Sequence, residues 1–231
     1  ISSIIKQKND YYIGFKSSGL IQLKYLPDSK VKYAIQSINI QSGIFCLMKD
    51  RFQDIIWVGA DGQGIYMYFT DEFSIENVLL DVPEYRVNNP VRALFLDHEQ
   101  TLWIGTKGGG ILRMMDFHPD RETLPQAERI LANNSALMDN SVYSFAPGRR
   151  NSLWIGTEDG LNYYSYLTRR IEEFPVIADG KKVKYVHSIC ETNDSTLWVV
   201  SAGEGIVKIT LEASSSLPKV KLYRLILMQQ K

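Results

Sequence analysis

Five similar apolar segments, which begin at residues 1, 44, 91, 142 and 186, carry at their second residue a side chain that could bind a ligand. These residues are Ser2, Phe45, Arg92, Tyr143 and His187. Aromatic rings can stack on the face of a sugar, and an arginine can pair with a carboxylate or a sulfate. Because this position varies while the positions beside it repeat, it indicates ligand binding; ordinary surface residues of a scaffold are the alternative interpretation.

A second set of similar segments lies at 57–60, 103–106, 154–157 and 198–201, and charged residues lie in the turns that follow them. They are Asp61, Lys107, Glu158 and Glu204. We expect these turns near the variable position, because the turn after a second strand and the connection before a first strand leave an antiparallel sheet at the same end. The predicted ligand-binding residues are Phe45, Arg92, Tyr143, His187, Lys107 and Glu158.

The sequence contains no catalytic motif. The three histidines, His98, His118 and His187, lack the spacing of metal ligands. A nucleophile in a GxSxG context, a P-loop, an EF-hand loop and an HExxH segment are all absent. The triple glycine at 108–110 is better explained as a hairpin turn than as a phosphate loop. The sequence therefore predicts no catalytic residue, no metal site and no cofactor.

Two adjacent carboxylate pairs, Glu158-Asp159 and Glu172-Glu173, could suggest acid–base chemistry. We expect the second pair on a solvated outer strand. Cys46 and Cys190 stand far apart without CxxC spacing, which argues against a zinc site or a thioredoxin-like motif.

The overall composition is that of a folded domain without a charged partner. The chain has 231 residues, with 26 basic and 26 acidic side chains, so its net charge is zero. Nucleic-acid binders normally carry a basic surface, and we expect no nucleic-acid partner. Neither a membrane-spanning apolar run nor a signal peptide is visible. Because the chain starts at Ile1 rather than a methionine, we expect it to be a piece of a longer protein.

An internal repeat organises the whole sequence. A segment of the type Trp-Ile-Gly-Thr, followed by a Gly-rich turn, recurs along the chain, and its aromatic residues are 44 to 51 residues apart. The aromatic residues are Tyr12, Trp57, Trp103, Trp154 and Trp198. Upstream of each lies an apolar segment whose third residue is always small, namely Ser3, Cys46, Ala93, Ser144 or Ser188.

Each repeat is typical of four short strands with turn residues between them. In the fourth repeat they are predicted near Val142–Ala146, Leu153–Thr157, Leu161–Leu167 and Arg170–Phe174. Four strands in about 45 residues are characteristic of a propeller blade. The sequence therefore predicts an all-β fold, a β-propeller with five four-stranded blades at approximately 1–40, 41–87, 88–135, 136–180 and 181–231.

The repeated residues have predicted packing roles. The Trp should fill the gap between adjacent sheets. The Gly two residues later should allow a close neighbour or a bend. The Gly-rich turn should supply positive φ, and the small third residue should fit the crowded centre.

The string Leu-Trp-Ile-Gly-Thr, intact at Leu102–Thr106 and Leu153–Thr157, resembles the two-component regulator propeller repeat. The segment Ala136–Val142 adds to the resemblance, which covers nearly the whole chain and is weakest in the first repeat. In that family the repeats form the periplasmic sensor of hybrid histidine kinases in the inner membrane. The resemblance implies a larger parent with two propellers of about seven blades each.

Five blades are therefore expected to be part of a larger propeller. The last strand is expected at Val220–Leu227, and the chain would form either a closed ring or an open arc. An open arc would expose apolar sheet and pair with another copy.

Three functions remain open at this point. The first is a periplasmic module that senses an oligosaccharide for a membrane-anchored, homodimeric sensor kinase. The second is an interaction or dimerisation scaffold within such a receptor. The third is a propeller lyase, for which only His187 is near the expected loop face.

Overall fold

The computed structural model describes residues 1–78, 86–116, 126–149, 151–178, 180–192, 195–212, 218 and 220–226, the last six as backbone alone. Within these residues the regular structure consists of twenty-two β-strands and no helix. Five four-stranded antiparallel sheets follow one another along the chain, each with its strands in sequence order. The predicted fold class, a β-propeller of four-stranded blades, is confirmed.

The first three blades occupy the N-terminal half. Blade 1 consists of β1 (Ser3–Gln7), β2 (Asp10–Phe15), β3 (Gly19–Tyr25) and β4 (Tyr33–Ile38). Blade 2 consists of β5 (Ile44–Lys49), β6 (Ile55–Ala60), β7 (Ile65–Phe69) and β8 (Ser74–Val78). Blade 3 consists of β9 (Val91–Leu96), β10 (Leu102–Thr106), β11 (Ile111–Met115) and β12 (Gln126–Ile130).

The last two blades are separated by a short hairpin that the repeat pattern did not predict. Blade 4 consists of β13 (Val142–Gly148), β14 (Ser152–Thr157), β15 (Gly160–Ser165) and β16 (Arg170–Phe174). The hairpin is β17 (Ile177–Ala178) and β18 (Lys181–Lys182). Blade 5 consists of β19 (Val186–Glu191), β20 (Thr196–Ser201), β21 (Gly205–Leu211) and β22 (Val220–Ile226). Leu227, the predicted end of the last strand, lies outside the described residues.

The chain divides into two compact units, residues 1–104 and 105–231. The first contains blades 1 and 2 with β9 and most of β10. The second contains β11, β12 and blades 4 and 5. The packing of each unit is described separately below.

Neighbouring blades within a unit pack face to face. We call the face that carries the repeated aromatic residue the trailing face, and the opposite one the leading face. In the first unit, Tyr12 and Leu20 of blade 1 pack with Ile56, Val58 and Tyr68 of blade 2. In the second unit a larger cluster joins the trailing face of blade 4 to the leading face of blade 5. These stacked apolar faces form the core.

The repeated Trp fills the space between sheets, as predicted. Trp57, Trp103 and Trp154 are fully buried, while Trp198 is only half-buried. In blade 2 the indole nitrogen donates to Asp50 at 2.8 Å, and the other oxygen of Asp50 accepts backbone N–H groups of the same hairpin. Each buried indole therefore satisfies its single donor.

The glycine two residues after the Trp allows a close approach of the next blade, which confirms that prediction. A Cβ on Gly156 would lie 2.5 Å from the carbonyl oxygen of Val186, and one on Gly59 would lie 2.8 Å from Cγ1 of Val91. The neighbouring small residue uses the same space, since Ser144 Oγ donates to the Val186 carbonyl at 3.0 Å. The small residue and the glycine thus fix the spacing of adjacent blades together.

Hairpin geometry agrees with the sequence, but two strands of blade 4 end elsewhere than predicted, and the first of them runs to Gly148 instead of Ala146. Gly62 and Gly108 have φ values of 72° and 84°, the region that a side chain disfavours. The third strand of blade 4 ends at Ser165 rather than at the predicted Leu167. The chain turns there because Arg169 N–H bonds back to the Ser165 carbonyl at 2.8 Å.

The leading face of blade 1 is open to solvent. Ile4 and Ile35 are 53% and 73% exposed, whereas Leu47, at the position in blade 2 equivalent to Ile4, is 9% exposed. This apolar face is the largest departure from the buried pattern in the first unit.

Candidate functional site

The rim of blades 2, 4 and 5 is held together by one repeated backbone hydrogen bond. The residue after the second strand donates its N–H to the carbonyl just before the first strand. The pairs are Asp61 with Gly43 (2.9 Å), Glu158 with Ser141 (2.9 Å) and Ala202 with Tyr185 (3.1 Å). Within each of these blades, the turn between the second and third strands therefore lies beside the connection that enters the first strand, as predicted.

The variable position coincides with a β-bulge. In blades 2, 4 and 5 the register of the first two strands shifts around Phe45, Tyr143 and His187. A bulge leaves one residue without a cross-strand partner and redirects its side chain. The backbone thus supplies the physical reason why this position tolerates different residue types.

The second unit brings three predicted residues together. The rings of Tyr143 and His187 lie 4.7 Å apart between centroids, tilted by 34°. The Tyr143 hydroxyl donates to Oε2 of Glu158 at 2.8 Å. His187 is exposed and Tyr143 half-buried. We call Tyr143, His187 and Glu158 the rim cluster; it combines an aromatic surface with a carboxylate.

Charged residues flank the rim cluster. Asp159 pairs with Lys182 at 2.6 Å and with Lys184 at 2.9 Å. The Lys182 ammonium, followed by that of Lys184, lowers the pKa of Asp159 below its ordinary value. The carboxylate is thus ionised and engaged at neutral pH, which does not suit it to a general-acid role. Sequence reasoning missed both lysines, although the three lysines at 181, 182 and 184, just before the first strand of blade 5, are a signal that could have found them.

The first unit brings another predicted pair together. The guanidinium carbon of Arg92 lies 3.6 Å from the centroid of the Phe45 ring, a close cation–π stack. Arg92 Nε is buried and has no hydrogen-bond partner among the described residues. The pair thus places the positive charge of Arg92 against the face of the Phe45 ring.

The remaining rim residues have more local contacts. Lys107 is exposed in the turn after β10, where the N–H groups of Gly108 and Gly110 donate to the Asn140 carbonyl at 3.1 and 2.8 Å. Ser2 Oγ donates to the carbonyls of Gly14 and Ile44, so its role is to join blades 1 and 2.

The described residues offer little for catalysis. They contain no group of three or more His, Cys, Asp or Glu side chains that could hold a metal ion. His98 is exposed, and His118 lies outside the described residues. The thiol of Cys46 bonds to the Val91 carbonyl at 3.6 Å, and burial raises its pKa to about 12, so it stays protonated.

Two segments of the chain, residues 86–108 and 136–159, match the two-component regulator propeller family. Each runs from the connection before a first strand to the turn after the second strand. One contains Arg92 and Lys107, and the other contains Tyr143 and Glu158. These two segments are similar to the two-component regulator propeller repeat. Phe45 and His187 lie outside them.

Histidine kinase P4 of Formosa agariphila is a curated protein to which this chain is similar. The two are 27% identical over 185 residues, which are 78% of this chain and 13% of the kinase. The chain thus spans about an eighth of that relative's length.

Two solved structures share the fold of this chain. The extracellular domain of the hybrid two-component system BT3049 of B. thetaiotaomicron has a TM-score of 0.70 at 21% identity, covering 95% of this chain and 28% of that one. PorZ, a component of the type-IX secretion system of Porphyromonas gingivalis, has a TM-score of 0.62 at 15% identity, covering 90% of this chain and 32% of PorZ. Across the described part of the chain, no helix is long and apolar enough to cross a membrane.

Proposed function

We propose that this chain is the ligand-sensing propeller module of a hybrid two-component sensor histidine kinase, located on the periplasmic side of the inner membrane. The repeats and the relation to a histidine kinase support the receptor class. We further propose that the signal is an oligosaccharide that binds at the rim. The catalytic part of such a receptor would lie in a different segment of the parent protein.

The observation that carries the proposal is the rim cluster. Sugar rings bind proteins through an apolar face that stacks on an aromatic ring and through hydroxyls that bond to carboxylates. The Tyr143–His187 stack supplies the first surface, and Glu158, held by the Tyr143 hydroxyl, supplies the second. Because the hydrogen bond and the stack fix the orientation of Tyr143, its ring is preorganised for a ligand.

The rim of the first unit offers a second polar surface. A cleft of about 470 Å³ lies between the turn 16–19 and the connection 40–43. Its lining includes Ser17, Ser18 and Ser42, whose hydroxyls can donate to and accept from sugar hydroxyls. Its lining chemistry is compatible with a neutral oligosaccharide.

Isothermal titration calorimetry of the whole chain tests the proposal. The probes are neutral oligosaccharides of two to six sugars prepared from cellulose, laminarin, xylan and arabinan. We expect at least one to bind, and Tyr143→Ala to weaken it by about tenfold or more, which corresponds to about 1.4 kcal/mol. Tyr143→Phe should keep most of the affinity because the stacking ring remains.

Tyr33→Ala is the matched control, since Tyr33 is a partly exposed tyrosine on blade 1, outside the rim cluster. We expect it to bind the oligosaccharide as the unaltered chain does. Absence of heat with every probe, or equal binding by Tyr143→Ala, would refute rim sensing.

A dimerisation scaffold is the second candidate, and the leading face of blade 1 favours it. The equivalent faces of blades 2 and 5 are buried against the neighbouring sheet of the same unit, whereas Ile4 and Ile35 are exposed. A second copy of the chain would supply a matching apolar sheet. Sedimentation analysis should then show a dimer that Ile35→Lys converts to a monomer; a monomer in both cases would exclude this function.

A further inference from the structure

The first unit carries an arginine whose charge is not neutralised by a contact with any described residue. Arg92, at the variable position of blade 3, is half-buried. Among the residues that the structure describes, it forms neither an ion pair nor a hydrogen bond. A guanidinium is protonated at every physiological pH, so this positive charge is permanent. Because charges taken out of water are normally paired, Arg92 is a candidate for pairing with a ligand.

The nitrogens of Arg92 differ in their surroundings. Nε is buried and has no hydrogen-bond partner among the described residues. The two Nη groups are not among the buried unpaired atoms, so solvent reaches them. An unpaired buried donor costs free energy, and an anion beside the Nη groups offsets part of that cost because the charge is delocalised over the whole guanidinium. The outer edge of the guanidinium is therefore open to a ligand.

The ring of Phe45 fixes the orientation of the guanidinium. The guanidinium carbon lies 3.6 Å from the centroid of that ring. At this distance the two planes are stacked, because a nitrogen pointing into the ring would come closer to it than van der Waals contact allows. The N–H donors lie in the guanidinium plane and point sideways, away from the ring. Arg92 can thus donate to an anion without giving up its contact with Phe45.

The backbone that carries Arg92 is fixed against blade 2. The carbonyl of Val91 accepts a hydrogen bond from the Cys46 thiol at 3.6 Å. A Cβ on Gly59 would lie 2.8 Å from Cγ1 of Val91, so the two blades are in close contact at this point. Because packing already orders this part of the rim, little conformational entropy is lost when a ligand binds.

The acidic residue of the neighbouring turn does not pair with Arg92. Asp61 directly follows the second strand of blade 2, the position that Glu158 has in blade 4. Its side chain is exposed and forms no ion pair among the described residues. Water and salt screen such a carboxylate, whereas Glu158 is held by the Tyr143 hydroxyl. The first unit therefore lacks the fixed carboxylate that the rim cluster has.

The two units use the same stacking geometry with different charge. In each, a ring at the variable position of one blade stacks with the side chain at that position of the next blade. In the second unit the ring is Tyr143, whose hydroxyl holds a carboxylate. In the first unit the ring is Phe45, which has no hydroxyl, and the stacked group is a cation. The pair in the first unit is therefore suited to an anionic ligand.

We propose that Phe45 and Arg92 form an oxyanion-binding site for the carboxylate or sulfate group of an acidic sugar. Guanidinium N–H donors recognise both groups because their spacing matches that of the oxygens. Sugar hydroxyls suit the polar surroundings, since the connection 40–43, which lines the polar cleft of the first unit, leads directly into the strand of Phe45. The site goes beyond the function proposed above, because its residues, its unit and the charge of its ligand are independent of the rim cluster.

Calorimetry of the whole chain with matched probes tests the site. Trigalacturonate is compared with its fully methyl-esterified form, and a carrageenan tetrasaccharide with its desulfated form, so that charge is the main difference within each pair. We expect at least one charged probe to bind, and its neutral counterpart to bind more weakly by about tenfold or more. The charged probe that binds identifies the oxyanion as a carboxylate or a sulfate.

Two variants separate the charge of Arg92 from its packing. Arg92→Met keeps an unbranched side chain on the Phe45 ring and removes the unpaired donor, so it should fold and lose affinity for the charged probe by about tenfold or more. Arg92→Lys keeps the charge but not the paired donors and should lose less. Arg51→Gln is the matched control, because the Arg51 guanidinium carbon also lies over a ring, 5.3 Å from the Phe95 centroid, but in the turn at the other end of blade 2. It should bind as the unaltered chain does.

The proposal is overturned if no charged probe binds, if the neutral counterparts bind equally well, or if Arg92→Met keeps the affinity. Urea unfolding shows whether Arg92→Met is folded. If it is not, Arg92→Lys and Phe45→Leu decide in its place, and unchanged affinity in both overturns the site. Each of these results leaves the rim cluster open, because that cluster is tested with neutral probes and with Tyr143 variants.

Discussion

The second unit contains two inter-blade spaces that the same repeat builds in opposite ways. Between blades 4 and 5 the space beside the Trp is filled, since Trp154, Tyr163 and Phe174 form three ring pairs with centroids 5.0 to 6.2 Å apart. Between the outer strands of blades 3 and 4 lies a cleft of about 580 Å³, lined by β11 and β12 on one side and by β15 and β16 on the other, which we call the lateral cleft. One space is an aromatic core, and the other is a polar opening.

The difference comes from two positions of the repeat. Arg113 and Ile130 of blade 3 occupy the sheet positions of Tyr163 and Phe174 in blade 4. The acidic cross-strand partner is present in both blades, as Glu128 faces Arg113 and Glu172 faces Tyr163. The backbone scaffold is therefore shared, and the choice of two side chains decides whether the space becomes core or cleft.

The largest expected effect is the removal of the central ring of the filled space. Trp154 is fully buried and its indole donates to Glu191 at 2.9 Å. We expect Trp154→Ala to lower the free energy of unfolding by about 3–5 kcal/mol, because it leaves a cavity and removes the indole hydrogen bond to Glu191. Urea unfolding followed by circular dichroism measures this.

Arg113→Ala is the comparison for the open space. Its ion pair with Glu128 is 3.6 Å long and the Glu128 side chain is 53% exposed, so we expect a loss of about 1 kcal/mol or less. Equal losses in the two variants would mean that the cleft contributes to the core as much as the aromatic space does.

A smaller effect is expected when the filled space receives the side chain of the open one. Tyr163→Arg should lower the free energy of unfolding by about 2 kcal/mol, since packing is lost but Glu172 can pair with the new charge. Tyr163→Phe, which keeps the ring, should cost less than about 1 kcal/mol. If Tyr163→Arg is as stable as the unaltered chain, this position does not decide between core and cleft.

The smallest effect concerns pH. Burial, and then the charge of Glu172, raises the pKa of Tyr163 above its ordinary value of 10.0. The neutral phenol is therefore favoured in the folded state, and its stabilising contribution is complete below pH 10.0 and is lost as the pH rises through the folded-state pKa.

Unfolding at neutral pH and at pH values above 10.0, in the chain and in Tyr163→Phe, measures this contribution. The unaltered chain should lose more stability than Tyr163→Phe as the pH rises above 10.0. Parallel curves for the two proteins would show that Tyr163 is not buried as described. Arg113→Lys should not alter the pH dependence.

The architecture could be predicted because its determinants are local and repeated. Turn residues separate short apolar runs, and the spacing of Trp57, Trp103, Trp154 and Trp198 fixes four strands per repeat. Even the roles of single residues followed, as Gly156 shows by admitting the next blade. Trp198 is the exception, because burial of a repeated Trp depends on a neighbouring face that the sequence pattern does not specify.

The candidate site was predicted only in part. The variable position located Phe45, Arg92, Tyr143 and His187 at the rim, but their pairing into one stack in each unit was not foreseeable. Their use as ligand-binding residues remains a prediction. The lateral cleft was missed because Arg113 stands in a column interpreted as packing.

The sequence by itself determined the repeat, the strands and the hairpins, because these depend on neighbouring residues and on a fixed period. Only the tertiary structure decided which distant side chains meet, such as Arg113 with Tyr164, 51 positions later, or Glu191 with the Trp154 of the preceding blade. These contacts depend on bulges and on the spacing between sheets. Both arise only when blades pack, so they determine whether a repeated position becomes core, rim or cleft.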